Sequence, residues 1–88
     1  MRLATTNGFK RDVRLVQRRG KDLAKLWTIV EQLLSGQPLE ARNRPRRLSG
    51  EMDGFWECHI EPDWLLVWEQ GLESLLLVRT GTHADLFE

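Results

Sequence analysis

Two histidines are the residues of this chain best suited to move protons near neutral pH. His59 lies four residues before Asp63, and His83 lies four residues after Arg79. An unperturbed imidazole has a pKa of about 6.5, so it exchanges protons readily in that range. A lone histidine is usually structural or exposed. Here two histidines occur with Asp63 and Arg79 near strands that could be neighbours. This combination raises the expectation of an acid–base site only modestly.

Other chemistries find less support. His59, Asp63 and His83 could supply three zinc ligands, but no His-x-x-x-His or Cys-x-x-Cys spacing accompanies them. The single cysteine, Cys58, can form no internal disulfide and is expected to be a small buried thiol. No serine lies in a nucleophile turn, and there is no glycine-rich phosphate loop. We therefore expect neither a metal nor another cofactor.

The first half of the chain predicts a strand and a helical hairpin. Residues 2–5 favour a short strand, and Asn7 is a candidate cap for the helix that follows. Apolar residues recur at helical spacing up to Gly20, and again from about residue 22 to 35. The second helix carries an apolar stripe that includes Leu23, Leu26, Trp27, Val30, Leu33 and Leu34. This hairpin must bury its apolar faces against another layer.

The second half supplies that layer. Runs rich in aromatic and branched residues at 54–60, 64–69 and 75–80 predict strands, and the short loops between them favour antiparallel pairing. Alternation in the first run places His59 on the opposite face from Cys58, and the nearly continuous apolar residues at 65–68 and 75–78 are typical of central strands. The chain of 88 residues has room for one small core. We predict a single α+β domain over residues 1–88. Its N-terminal strand and two-helix hairpin should pack on a mainly antiparallel sheet of about four to five strands.

The net charge of zero hides a strong asymmetry. Residues 1–50 contain twelve of the thirteen Lys and Arg residues and four acids, whereas residues 51–88 contain one base and nine acids. The two segments therefore carry net charges of +8 and −8, a pattern compatible with a nucleic-acid surface on the basic part. The sequence shows neither a signal peptide nor an apolar run near the 20 residues that span a bilayer, so we expect a cytoplasmic protein without membrane contact.

Four segments carry a resemblance to a known family. They are Leu48–Gly50, Gly54–Phe55, Cys58–Val67 and Arg79–Phe87, which include a His-x-x-Pro-Asp-Trp motif and an Arg-Thr-Gly-x-His-x-x-Leu-Phe motif. Together they resemble the YafQ-type branch of the RelE/ParE toxin superfamily and cover nearly all of the C-terminal half. The helical hairpin before them agrees in order and length with the same fold.

The resemblance implies a ribosome-dependent messenger-RNA endonuclease that needs no metal and is masked by a DinJ- or RelB-like antitoxin. Its partners would be this antitoxin, the ribosome and mRNA. The RNA 2′-hydroxyl would attack its own phosphate, which requires a base, an acid and nearby positive charge. By motif position, the resemblance assigns the proton transfers to His59, Asp63 and His83. It assigns substrate contacts or support of the site to Trp64, Arg79 and Phe87.

Arg46 departs from the family pattern, which has a histidine at that position, two residues before Leu48. An arginine can neutralise phosphate charge but is a poor proton donor or base. The fold implied by the resemblance would bring Arg46 and Arg47 beside His59 and His83. Met52, Asp53 and Trp56 also replace the usual Trp, base and Arg of this branch, and the acid at position 53 should weaken RNA attraction locally.

Two alternatives to the nuclease stay open. The first is a non-enzymatic ParE-like toxin that binds a protein target such as gyrase, because the superfamily uses one fold for both activities. The second is a catalytically weakened relative, retained for antitoxin binding, which the arginine at position 46 suggests. Arg79 likewise has two interpretations, a phosphate contact or a structural ion pair with a neighbouring acid.

Overall fold

A five-stranded sheet forms the centre of the structure, a computed structural model that describes residues 1–87. The strands are β1 (Arg2–Thr5), β2 (Arg46–Arg47), β3 (Phe55–Glu61), β4 (Trp64–Gln70) and β5 (Ser74–Gly81). They lie in the order β1-β5-β4-β3-β2, with β1 parallel to β5 and the other neighbours antiparallel. The predicted α+β class and mainly antiparallel sheet are confirmed.

Helix α1 (Asn7–Arg18) follows β1, and helix α2 (Leu23–Ser35) completes the hairpin. The cap of α1 is Thr6 and not the predicted Asn7, which is the first helical residue. The Thr6 hydroxyl accepts a hydrogen bond from the Phe9 amide at 2.9 Å and donates one to the Val78 carbonyl at 2.7 Å. One side chain thus caps the helix and ties it to β5, which a cap at Asn7 would not do.

The main core lies between the two helices and one face of the sheet. Leu26, Ile29, Val30 and Leu33 of α2 are buried, at the spacing of a single helix face. The predicted stripe was wrong about Trp27, which lies beside this face. The residue is 38% exposed, and its ring meets the Phe9 ring edge-on, with centroids 6.3 Å apart.

Strand β4 is buried on both faces. Trp64, Leu66 and Trp68 belong to the core beneath the helices, and the alternate residues Leu65 and Val67 are 0% and 1% exposed on the opposite face. The continuous apolar run in the sequence had predicted such a central strand. The face away from the helices is the one that matters for function, because His59 is the cross-strand neighbour of Leu65.

Two short elements were not predicted. Strand β2 contains only Arg46 and Arg47, within a segment that we expected to be a connection. Helix α3 (His83–Phe87) has five residues at the end of the described chain. Single-residue propensities do not distinguish elements of this length from loops, since tertiary contacts hold them in place. Both elements carry residues of the predicted site.

Candidate active site

Asp63 and His83 form the best-defined polar contact of the site. Asp63 lies in the turn between β3 and β4, and His83 is the first residue of α3. One carboxylate oxygen of Asp63, Oδ1, accepts hydrogen bonds from the His83 backbone amide at 3.0 Å and from its ring Nδ1 at 2.7 Å. These bonds, the backbone one first, lower the pKa of Asp63 below its ordinary value. The carboxylate is therefore charged at neutral pH, and His83 Nδ1 must be the donor.

His59 lies next to this pair. Its ring centroid is 5.6 Å from that of His83, and the two ring planes are inclined by 55°. His59 Nδ1 lies 3.1 Å from the Pro62 carbonyl oxygen, which can only accept a hydrogen bond. Each imidazole is thus anchored through Nδ1 and leaves Nε2 for chemistry. Such a nitrogen accepts a proton when the ring is neutral and donates one when it is charged.

A three-residue tether holds α3, and with it His83, in place. Thr82 and Asp85 form a reciprocal cap: the Thr82 amide donates to Asp85 Oδ2 at 3.0 Å, and the Asp85 amide donates to the Thr82 hydroxyl at 3.1 Å. Arg19, just after α1, grips the same carboxylate with two nitrogens at 2.6 and 3.1 Å. A Cβ at Gly81 would come within 2.8 Å of this carboxylate, so the approach requires glycine.

The tether makes a testable contribution to activity. We expect Asp85→Ala to lower the turnover rate by about tenfold, because a small displacement of His83 removes productive geometry. The Arg19 contact and the Thr82 amide hold the pKa of Asp85 below its ordinary value of 3.8. The tether is therefore intact above that value and is lost as the pH falls through the lowered pKa. RNA cleavage rates, normalised to folded protein by circular dichroism, measure the effect.

Arg19→Lys provides the matched control for this tether. Lysine keeps the charge but not the two-nitrogen grip, so its rate should fall between those of wild type and Asp85→Ala. If Asp85→Ala were folded and cleaved at the wild-type rate, the tether would have no role in positioning His83.

Of the two adjacent arginines, only Arg46 reaches the face of His59. It lies opposite Glu57 in the sheet, and Glu57 shares its face with His59 two residues later. Arg46 Nε donates to Glu57 Oε2 at 2.8 Å, while 69% of the Arg46 side chain is exposed. Arg47 lies opposite Trp56, on the side that packs against the core. The structure thus separates two residues that the sequence analysis had grouped beside the histidines.

The carboxylate of Glu57 is an unexpected part of this face. The residue is 2% exposed, and its Oε1 has no hydrogen-bond partner within residues 1–87. A buried carboxylate needs a compensating charge, which Arg46 supplies from one side. The charge of Glu57 is thus paired and does not stand as a free acid beside the histidines.

Arg79 and Trp64 are built into the fold beneath the site. Arg79 Nε and Nη2 donate to the two oxygens of Asp12 on α1, at 2.6 and 3.1 Å. Its pKa is raised by this hydrogen bond. Trp64 is 1% exposed, and its indole donates to the Thr80 hydroxyl at 2.9 Å. These contacts favour the structural interpretation of Arg79 and a supporting role for Trp64 over direct RNA contact.

Phe87 lies one helical turn after His83 on α3 and is 45% exposed. An exposed aromatic ring at this place is available to stack on a base. No group of three or more His, Cys, Asp or Glu side chains within residues 1–87 could hold a metal ion. In that same part of the chain, no helix is long and apolar enough to cross a membrane.

Several residues that build the site were not predicted from the sequence. Two of them carry a local signal, because Thr82 and Asp85 have the spacing of a capping box. Others carry no local signal, because Asn43 donates to the His59 carbonyl at 2.8 Å across 16 residues, and Arg19 meets Asp85 across 66.

The structure thus combines a helical hairpin with a five-stranded sheet whose far face carries two histidines and an aspartate. This combination is matched by a family of bacterial toxins. The family model described as "Bacterial toxin of type II toxin-antitoxin system, YafQ" matches residues 1–88. The chain belongs to this family of type II toxins. Its relatives within this class include the YafQ toxins of Escherichia coli.

Relatives of known sequence and structure support this assignment. The "mRNA interferase toxin YafQ" of Escherichia coli strain K12 is 39% identical over 80 residues, which are 90% of this chain and 87% of the relative. The crystal structure of YafQ from E. coli strain BL21(DE3) has a TM-score of 0.95 at 34% identity, with both chains fully covered. In a crystal structure of the E. coli DinJ-YafQ complex the TM-score is 0.93 at 36% identity, again over both whole chains.

Proposed function

We propose that this chain is the toxin of a type II toxin–antitoxin pair and cleaves messenger RNA on the ribosome. The observation that supports this most directly is the pair of imidazoles, 5.6 Å apart and each anchored through Nδ1. Two such rings can serve one phosphodiester, one as base and one as acid. The E. coli relative named as an mRNA interferase points to the same reaction.

The proposed reaction is an internal transfer within the RNA. The Nε2 of one histidine takes the proton from a ribose 2′-hydroxyl, and this oxygen bonds to the adjacent phosphorus. The bond from phosphorus to the 5′-oxygen breaks, and the other histidine, protonated, gives its proton to that oxygen. The products are a 2′,3′-cyclic phosphate and a free 5′-hydroxyl, so neither water nor a metal enters this step.

The remaining site residues have supporting roles in this proposal. Asp63 fixes the orientation of the His83 ring and the tautomer that carries its proton on Nδ1. Arg46 binds the phosphate through its terminal nitrogens, because only its Nε is engaged, by Glu57. Phe87 stacks on a base near the scissile bond. Arg47 is proposed to add positive potential around the substrate without reaching the phosphate. Arg79, paired with Asp12, is proposed to hold the fold beneath the site.

We also propose the partners that the family comparison suggests. The solved complex of E. coli YafQ with DinJ supports an antitoxin of that kind for this chain. The exposed bases of α1, including Lys10, Arg11 and Arg14, fit the ribosomal RNA that surrounds the messenger. A protein acting on ribosomes works in the cytoplasm.

A cell-free translation system tests this function. Purified toxin should arrest translation and produce cuts in the messenger that primer extension maps to defined positions within codons. The same messenger without ribosomes should stay intact, and added antitoxin should restore translation. The upstream fragment should carry the cyclic phosphate at its 3′ end. This end should resist poly(A) polymerase until a phosphatase that opens cyclic phosphates is added. Arrest without cuts would instead indicate a toxin that binds a protein target, and no arrest would indicate a weakened relative.

A further inference from the structure

A groove of about 640 Å³ opens beside His59, between helix α2 and the connection that precedes β2. It exists because β2 is short. Arg46 and Arg47 pair only with Glu57 and Trp56, so from Cys58 onwards β3 has a strand neighbour on its β4 side only. The connection passes this free edge as a single turn, Ala41–Asn43, and the buried Asn43 amide anchors it to the His59 carbonyl at 2.8 Å.

The groove combines an apolar wall with a charged rim. Ile29 and Ile60 contribute apolar surface, while Lys25, Arg42 and Arg44 contribute positive charge. Its volume falls within the range of small-ligand sites, about 300–1,000 Å³. An apolar slot for a planar ring beside cations for an anion is the combination that a nucleotide requires.

Both acids in the lining are already neutralised. Glu61 accepts hydrogen bonds from Lys21 at 2.7 Å and from Lys25 at 2.8 Å, which lower its pKa. Glu40 forms an ion pair with Arg42. Arg44 forms no ion pair within residues 1–87 and is exposed. The charge left over in the groove is therefore positive.

Arg44 also has an unusual backbone conformation. Its φ of 45° is the one positive value of a non-glycine residue in the described chain, and it ends the turn Ala41–Asn43. Glycine or asparagine usually takes this left-handed position, since a larger side chain costs stability there. An arginine in this place sacrifices stability, and strained positions of this kind concentrate at ligand sites.

From these observations we propose that the groove binds a nucleotide of the RNA next to the scissile phosphate. The base lies between Ile29 and Ile60, and its phosphate binds Arg44. His59 lines the groove at the free edge of β3, and its ring lies 5.6 Å from that of His83 on the opposite face of the strand from Ile60. The RNA therefore passes around this edge, so that a nucleotide seated in the groove delivers its neighbour to the two imidazoles. This subsite rests on the proposed RNA cleavage and would define part of its sequence preference.

Nuclear magnetic resonance titration with adenosine 3′,5′-bisphosphate tests the subsite without any cleavage. In the wild-type protein, the backbone amides of Asn43 and Ile60 should shift with saturation. Arg44→Gly should raise the Kd about tenfold while increasing the melting temperature, because it removes the guanidinium and relieves the backbone. Arg44→Lys should recover part of the affinity. Thr28→Trp, which fills the groove and leaves Arg44 in place, should also weaken binding.

Arg2→Ala is the matched control, since it removes one arginine from β1, at the opposite edge of the sheet. It should leave the Kd unchanged. Equal Kd values for wild type, Arg44→Gly and Thr28→Trp would overturn the subsite, as would groove amides that shift with an acidic peptide and not with the nucleotide. If the nucleotide binds as expected but no messenger is cut in translation, the proposed function fails while the subsite stands. If messenger is cut in translation but the nucleotide shifts no amide of the groove, the subsite fails while the proposed function stands.

Discussion

Replacing His83 with alanine should reduce messenger cleavage by roughly 100- to 10,000-fold, the usual contribution of a positioned acid or base. The fold should survive, because the His83 side chain is 52% exposed, its ring nitrogen bonds to Asp63 in an exposed turn, and its ring neighbour is His59. The backbone bond from residue 83 to Asp63 also remains. Primer extension in the translation system measures the cuts, and thermal melting followed by circular dichroism confirms that the variant is folded.

Two further variants make the interpretation of His83 specific. His59→Ala should cause a comparable loss, and the double variant should be little worse than either single one, since an acid and a base act as a unit. Asp63→Ala keeps both imidazoles but releases the ring of His83, so its loss should be smaller than that of His83→Ala. Wild-type cleavage by a folded His83→Ala protein would remove this residue from the mechanism.

The positions of the two histidines show what a single sequence can reveal. Their spacing and motifs indicated a site, and the alternation along β3 correctly placed His59 opposite to Cys58 and the core. The continuous apolar run of β4 predicted a central strand. What the sequence could not provide were contacts between distant residues, such as the ion pair of Arg79 with Asp12 across 67 positions. Such pairs depend on how elements pack, and no local pattern records them.

The charge asymmetry of the sequence acquires a structural meaning in the same way. Four ion pairs join a base of the first fifty residues to an acid of the remainder: Arg19–Asp85, Lys21–Glu61, Lys25–Glu61 and Arg46–Glu57. Each exposed pair contributes little stability, because water screens its charges. Their effect on function is larger, because the acids near the histidines are neutralised and unpaired bases such as Arg44 remain. A neutral chain can therefore present a basic substrate surface.

Asp12→Ala should be the most destabilising polar substitution that we predict, at about 2–3 kcal/mol. Asp12 is 8% exposed and accepts hydrogen bonds from Arg79 and from the Thr80 backbone amide, the latter at 3.1 Å. Its removal leaves that buried amide without a partner and Arg79 without its counter-charge. For a domain of this size the melting temperature should fall by about 15 °C. Urea unfolding gives the free energy directly, and an unchanged midpoint would show that the contact carries no stability.

The same variant separates the two interpretations of Arg79. If Arg79 is purely structural, Arg79→Ala and Asp12→Ala should lower cleavage only in proportion to the folded fraction. A double-mutant cycle should then show a stability coupling of about 1–2 kcal/mol between them, reduced from that of a fully buried pair because Arg79 is 40% exposed. If Arg79 also binds phosphate, Arg79→Ala should raise KM for folded protein while Asp12→Ala does not. Since both guanidinium contacts reach Asp12, we expect the structural result.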